Sequence, residues 1–445
     1  MEVRCFHRLQ QAQPFQQAMN ALNLSAARPD PFSTFEFYQN YLRNGQLFGA
    51  GDRLWLLLVF SGDVLMGHIA LKWRRHRVLG MQAAKLELLT AHHADRPGLI
   101  SRPQHAPLVS GAIYAYLLSR RQEWGLLEFG EQDAASALLH PPTEASSGEF
   151  RHQLWPTMAN GTVQIRWKSI ARYFADLSKK SRSNVSRQMR NLLAAGDVQV
   201  LTICDPRSLA AAFDAYRSIE PHSWKARTEA VIGCAQQSVD YFRGLMEPEQ
   251  PMQISIQLLF LDGEPIAGLI SGAFDQSLYA LHIVYDDRHA RLAPGSAILL
   301  MGMRHAIEGG YQRFNLLRGF DYYKLRWLAD MRGTQSLQIY RRVSPFHWRR
   351  ILGDTRRRWA ERWFGPADTG QARMNPVRHT RLGIEKVSCD SACVQLAYRT
   401  HRERFAALVC GARGGGGELL SAAQLDEALP FATSRRPSLS GRCPR

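Results

Sequence analysis

The chain has 445 residues, 45% apolar and 21% charged, which excludes a wholly disordered, collagen-like or coiled-coil protein. At roughly 100–200 residues per domain this length predicts two or three domains. The formal charge of +17 is uneven: residues 1–150 contribute +1, residues 151–345 contribute +7 and residues 346–445 contribute +9. No stretch reaches the ~18 apolar residues that a membrane helix needs, and the longest clean run is Leu54–Phe60. The N-terminus lacks the apolar core of a secretory signal. Seven scattered cysteines fit free thiols in a reducing compartment, and Cys389 and Cys393 have no second pair at zinc spacing. The expectation is a cytoplasmic protein with no membrane span and no metal.

In chain order, residues 1–50 hold helical-length segments broken by Pro29-Asp30-Pro31. Leu54–Phe60, the turn Ser61-Gly62-Asp63 and Val64–Leu71 read as a hairpin. Residues 78–90 fit a strand or a short helix. Ala112–Trp124 has amphipathic helical spacing, Gly125–Phe129 reads as a short strand, and 131–160 reads as loop or domain connection. The second half repeats the plan. Ile254–Leu261, Asp262-Gly263-Glu264-Pro265 and Ile266–Phe274 form a second hairpin, Leu278–Tyr285 a third strand, Ser296–Glu308 a helix and Phe314–Leu317 a short strand. The hairpins match at an offset of 201, pairing Leu58 with Leu259, Gly62 with Gly263, Gly67 with Gly268 and Ile69 with Ile270, which suggests a duplicated module. Mixed strands and helices with antiparallel hairpins predict an α/β (α+β mixed-sheet) fold rather than a dinucleotide-binding one. Residues 346–363 read as a basic amphipathic helix, and 365–445 as disordered.

Four segments carry candidate chemistry. Pro294-Gly295-Ser296-Ala297 opens a helix after a strand, and backbone N–H groups at such a start suit a diphosphate. Lys324 lies among Tyr322, Tyr323 and Trp327, where a desolvated ammonium would polarise a carbonyl or hold an anion. Glu220-Pro221-His222-Ser223-Trp224-Lys225 places a carboxylate, an imidazole, an ammonium and an indole within six residues. Ser178–Arg190 has five basic residues and no acid, a solvated helix face or a surface for phosphate, polyanion or tRNA.

Taken in order, these pieces resemble the GNAT-superfamily acyltransferases of the CelD-type branch, which is linked to cellulose and exopolysaccharide production and related to FemAB-like aminoacyltransferases. The resemblance is clearest over residues 166–345. It implies two tandem GNAT-like modules, over 1–160 (degenerate) and 161–345 (acyl-donor-binding), followed by a basic tail over 346–445. It further implies acetyl-CoA or another acyl-CoA as co-substrate, held by Pro294, Gly295, Ser296 and Ala297 with Arg291 nearby. The acyl group would pass by direct attack to a sugar, polysaccharide precursor or similar small acceptor. Asp286, His282 and Glu220 are the base candidates, Lys324 would assist the reacting carbonyl, and Tyr323 or Tyr285 would protonate the leaving thiolate. Trp224, Lys225, Tyr285 and Trp327 would contact substrate. The alternatives are a FemAB-like transferase using aminoacyl-tRNA and a non-catalytic scaffold.

Overall fold

The computed structural model describes residues 1–364, apart from 45–47, 50, 91–93, 95, 147, 228–230 and 320–321, together with 417–420. The expected disorder of 365–445 therefore lies outside the described residues, except at 417–420. The first half contains β1 (Glu2–Phe6), α1 (Gln16–Leu24), α2 (Phe35–Asn44), β2 (Arg53–Ser61), β3 (Val64–Val78), β4 (Met81–Leu88), β5 (Ile100–Ser101), α3 (Ala106–Ser119), β6 (Leu126–Asp133) and β7 (Phe150–Gln164). The second contains α4 (Ile170–Asp176), α5 (Lys179–Leu193), β8 (Val198–Ile203), α6 (Pro206–Ile219), α7 (Gln236–Leu245), β9 (Gln253–Leu261), β10 (Glu264–Phe274), β11 (Ser277–Tyr285), α8 (Pro294–Glu308), β12 (Arg313–Arg318), α9 (Tyr322–Arg326) and β13 (Asp330–Arg341). α10 (Pro345–Phe364) and β14 (Gly417–Leu420) follow.

All the strands among the described residues join one mixed sheet, ordered β1-β2-β3-β4-β6-β13-β7-β12-β11-β10-β9-β8-β14, with β5 on β3. The two halves share a topology. In each, an antiparallel meander (β2-β3-β4; β9-β10-β11) leads into a helix (α3; α8) and then a strand parallel to the last one (β6; β12). Such a crossover buries an apolar helix face on the sheet. α8 does so with Ile298, Leu299, Leu300, Met301 and Met303. The closing strands are exchanged: β7 pairs with β12, and β13 with β6, while β7 and β13 pair with each other at the centre.

Pairing register corrects the repeat offset from 201 to 200. The two-residue turns fall at Gly62-Asp63 and Asp262-Gly263, and both hairpins skip one residue at equivalent places, Met66 and Ile266. Gly67 thus aligns with Ala267, and His68 with Gly268. The two strand glycines are not repeat partners and serve different contacts. A Cβ on Gly67 would lie 2.5 Å from Val109, whereas one on Gly268 would lie 2.4 Å from the Tyr216 ring. Residues 131–160, expected as loop, instead contain most of β7. From Arg151 to Ala159 its side chains are exposed or half-buried, and the buried residues (Phe150, Asn160, Gly161 and Val163) lie only towards its ends, so periodicity concealed it. The amphipathic helix expected over 112–124 lies earlier, over 106–119, and buries Val109, Ile113 and Leu117.

Candidate active site

The site begins where two parallel strands part. β11 and β12 pair only at Ser277–Tyr279 with Arg313–Asn315. The Asn315 side chain then accepts the Leu317 N–H at 2.8 Å, and Leu317 turns left-handed at φ 57°. That donor is lost to a sheet ladder, so β12 bends off. Between the diverging strands lies a cavity of about 680 Å³, lined by Ala280–Ile283 and Tyr285 on one side and Leu316–Arg318 on the other. Strand edges with no neighbour offer backbone donors and acceptors to an extended ligand.

The start of α8 forms the cavity's mouth. Ala293 is left-handed at φ 54°, and its carbonyl accepts from Ser296 N and Ala297 N. Pro294 has no N–H, and the Gly295 N–H has no helical acceptor four residues back. Gly295 and Ser296 line the cavity. A Cβ on Gly295 would meet Tyr285 Cδ1 at 2.9 Å, so glycine is what lets that ring lie across the helix start. Pro294 and Ala297 are buried beneath it, while Arg291 is exposed and does not line the cavity.

One wall carries a chain of titratable groups drawn from three segments. His282 Nε2 lies 2.9 Å from Lys225 Nζ, and His282 Nδ1 lies 2.7 Å from Tyr216 Oη. Glu220 Oε1 stands 3.9 Å from the same Nδ1. Burial pushes the Lys225 ammonium down to about 8, partly offset by the charge of Glu220. Burial also raises Glu220 above the ordinary carboxylate value, against the pull of the Ile232 and Gly233 N–H groups, each donating to it at 2.9 Å. Trp224 and Lys225 line the cavity with His282, and Trp224 is exposed. Four of the residues singled out in the sequence (Glu220, Trp224, Lys225 and His282) thus meet here. Tyr216 was missed; it lies on α6, 66 residues from His282, with no local motif to flag it.

Lys324 lines the cavity but is only 1% exposed, and its ammonium donates to the carbonyls of Leu317 (3.1 Å), Arg318 (2.9 Å) and Gly319 (3.1 Å). Those are the three donors an ammonium has, so Lys324 pins the bent end of β12. Trp327 lines the same wall, with its carbonyl accepting from Tyr173 Oη at 2.9 Å. Asp286 is buried away from the cavity lining. Burial pushes its carboxyl up, but the Arg288 guanidinium and backbone N–H outweigh this and hold it below the usual value. Tyr285 is held above the ordinary phenol value by burial and by Asp287, so it keeps its proton. Tyr323 is the second residue of α9, and its side chain lies outside the described residues.

The corresponding place in the first half is filled. Between β6 and the start of α3, the Arg96 guanidinium pairs with Asp133, and Gln132 Nε2 donates to the Pro97 carbonyl at 2.9 Å. The remaining space is about 220 Å³.

Residues 179–325 match the family model described as an acetyltransferase (GNAT) domain. The span runs from α5 into α9 and holds all of the cavity lining except Ala94 and Trp327, and it gives the protein an acyltransferase domain of the GNAT type. None of the curated proteins matches the chain in sequence. Among solved structures, FemX is 11% identical with a TM-score of 0.50, over 76% of this chain and 97% of its own. A tandem GNAT protein from the clavulanic acid biosynthesis pathway is 12% identical with a TM-score of 0.43, over 76% and 97%. L-PGS from Bacillus licheniformis is 15% identical with a TM-score of 0.44, over 72% and 96%. FemX shares the fold, and the chain is a mixed α/β protein whose two halves repeat one topology, the second of them holding the GNAT-type domain.

Proposed function

We propose that the protein is an acyl-CoA-dependent N- or O-acyltransferase whose donor lies in the cleft between β11 and β12 and whose acceptor is a sugar, polysaccharide precursor or similar small molecule. The observation that carries this reading is the parting of those strands above the start of α8, with the Lys225–His282 pair on the wall. The residues present fit such a donor. The edge of β11 beyond Tyr279, where pairing with β12 ends, suits the amides of its arm, and the Gly295 N–H at the positive end of α8 suits its diphosphate. The reading also draws on the contrast between the halves: among the described residues, the place equivalent to this cleft in the first half is occupied by the Arg96–Asp133 pair, in keeping with the CelD-type resemblance, which puts the donor in the second module.

In this mechanism the acceptor's amine or hydroxyl attacks the thioester carbonyl, and the thiolate then leaves. Neutral Lys225 takes the acceptor's proton, and His282, backed by Glu220 and Tyr216, relays or stabilises the positive charge. Tyr285 keeps a proton within reach of the departing sulfur. Lys324 holds Leu317–Gly319 so that the β12 edge keeps its bend, a positioning role.

A second reading, an aminoacyl-tRNA-dependent FemAB-like transferase, is favoured by one feature. A groove of about 730 Å³ between α5 and α9 is lined by Lys180, Arg187 and Arg326 with Ser178, Ser181 and Asn184 and, among the described residues, no acid. The two separate in an assay of thiol release from acetyl-CoA with a panel of amino sugars and hexoses. Acceptor-dependent release supports the first reading. No release with any acceptor, together with salt-sensitive tRNA binding, would replace it with the second.

A further inference from the structure

α10 is built inside out. It packs on β3, β4 and β13, yet the face it turns inward is largely polar. His347 lies against Tyr340 with ring centroids 6.2 Å apart, Arg350 sits over the same ring at 5.5 Å, and Arg350 pairs with Asp354 at 3.4 Å. The outward face carries Trp348, Ile351 and Leu352 at 52%, 37% and 57% exposure, with Val343 just before the helix at 68%. Spacings of three and four residues put the helical three on one stripe. Large apolar side chains gathered on one exposed face mark an interaction surface.

The charge around this stripe selects the partner. Residues 346–364 contain six arginines, at 349, 350, 356, 357, 358 and 362, against Asp354 and Glu361; with Arg350 turned inward and paired to Asp354, five arginines against Glu361 leave the segment net +4. The segment after it, 365–445, is itself net positive, with 12 basic and 7 acidic residues, so neither that segment nor a second copy of the helix complements the surface. A nucleic acid would match the arginines but gain nothing from Ile351 and Leu352. Tryptophan and aliphatic side chains flanked by arginines instead match the boundary of an anionic lipid layer, where the apolar groups enter the acyl region and the guanidinium groups stay among the headgroups. Among the described residues no helix is long and apolar enough to cross a membrane, so the contact is peripheral. We propose that α10 docks the protein on an anionic membrane surface.

The test is co-sedimentation of the full chain with vesicles of phosphatidylglycerol and phosphatidylcholine (mixed, against phosphatidylcholine alone), with I351E/L352E and, separately, R349E as variants. Binding should require the anionic lipid and weaken as salt rises from about 0.05 to about 0.5 M. It should fall about a hundred-fold in I351E/L352E through two lost apolar insertions, and less in R349E, with circular dichroism unchanged. Since all three side chains are exposed, the variants are expected to fold. Equal binding to both vesicle types, or unaltered binding by I351E/L352E, overturns the proposal. So does an absence of vesicle binding when mixed tRNA is bound instead.

Discussion

The sharpest consequence of the active-site geometry concerns Lys225. Its ammonium is pushed down to about 8 by burial, whereas an ordinary lysine stays charged to above pH 10. If the neutral amine is the base, activity follows its deprotonated fraction, which grows as pH rises. For a group titrating at about 8, that fraction is roughly 9% at pH 7 and roughly 91% at pH 9, so kcat/KM should climb about ten-fold over this interval. Lys225→Met should remove the limb and lower kcat by about 10²–10⁴-fold. Lys225→Arg, which retains charge at every working pH, should be no better. The assay is thiol release at saturating acetyl-CoA from pH 6 to 9.5, with binding of acetyl-CoA followed separately. A Lys225→Met enzyme that keeps the wild-type pH profile would refute the assignment, leaving the lysine a contact of His282 only.

Three further outcomes follow from the packing. Tyr216→Phe should lower kcat about ten-fold or more without changing acetyl-CoA affinity, because His282 loses the hydroxyl that fixes its ring; equal losses in both would mark a packing effect instead. Gly268→Ala places a Cβ 2.4 Å from the Tyr216 ring and should cost about 1–3 kcal/mol in denaturant unfolding, with reduced turnover; full stability would show that the ring moves freely. Lys324→Met strands three carbonyls that the ammonium now satisfies and should destabilise the fold by about 2–5 kcal/mol, whereas a catalytic role alone would leave stability untouched.

Much of the second half was legible because its elements are short, apolar and punctuated. β9, β10, β11 and α8 lie within a few residues of where spacing and turn residues place them. The basic stripe over 178–190 also became a helix, burying Val185, Met189 and Leu192 as its periodicity requires. β7 and β13 were not legible, since each is long, partly exposed and paired with the other half of the chain, so its burial is set by distant partners. The repeat was recognisable, but matching glycine to glycine displaced it by one residue. A shift of one inverts every side chain of a strand, and only pairing register reveals it. At the site, Trp224, Lys225 and His282 share one cavity, whereas Tyr216 enters from a separate helix and Asp286 turns away to Arg288. Proximity located Trp224 and Lys225, and His282 comes from a strand 57 residues on; nothing local encodes Tyr216, whereas Asp286 is taken up by Arg288 two residues away, as the cap of the turn that follows.

Calorimetric titration of acetyl-CoA into the wild-type protein and into Gly295→Trp puts the donor cleft to the most direct test. The Cβ alone would already stand 2.9 Å from Tyr285, and the indole would occupy the mouth between β11 and the start of α8. Micromolar binding by the wild type that disappears in Gly295→Trp, with the variant's thermal unfolding otherwise preserved, is the expected result. Binding of equal strength by both proteins, or by neither, would contradict a donor site in this cleft.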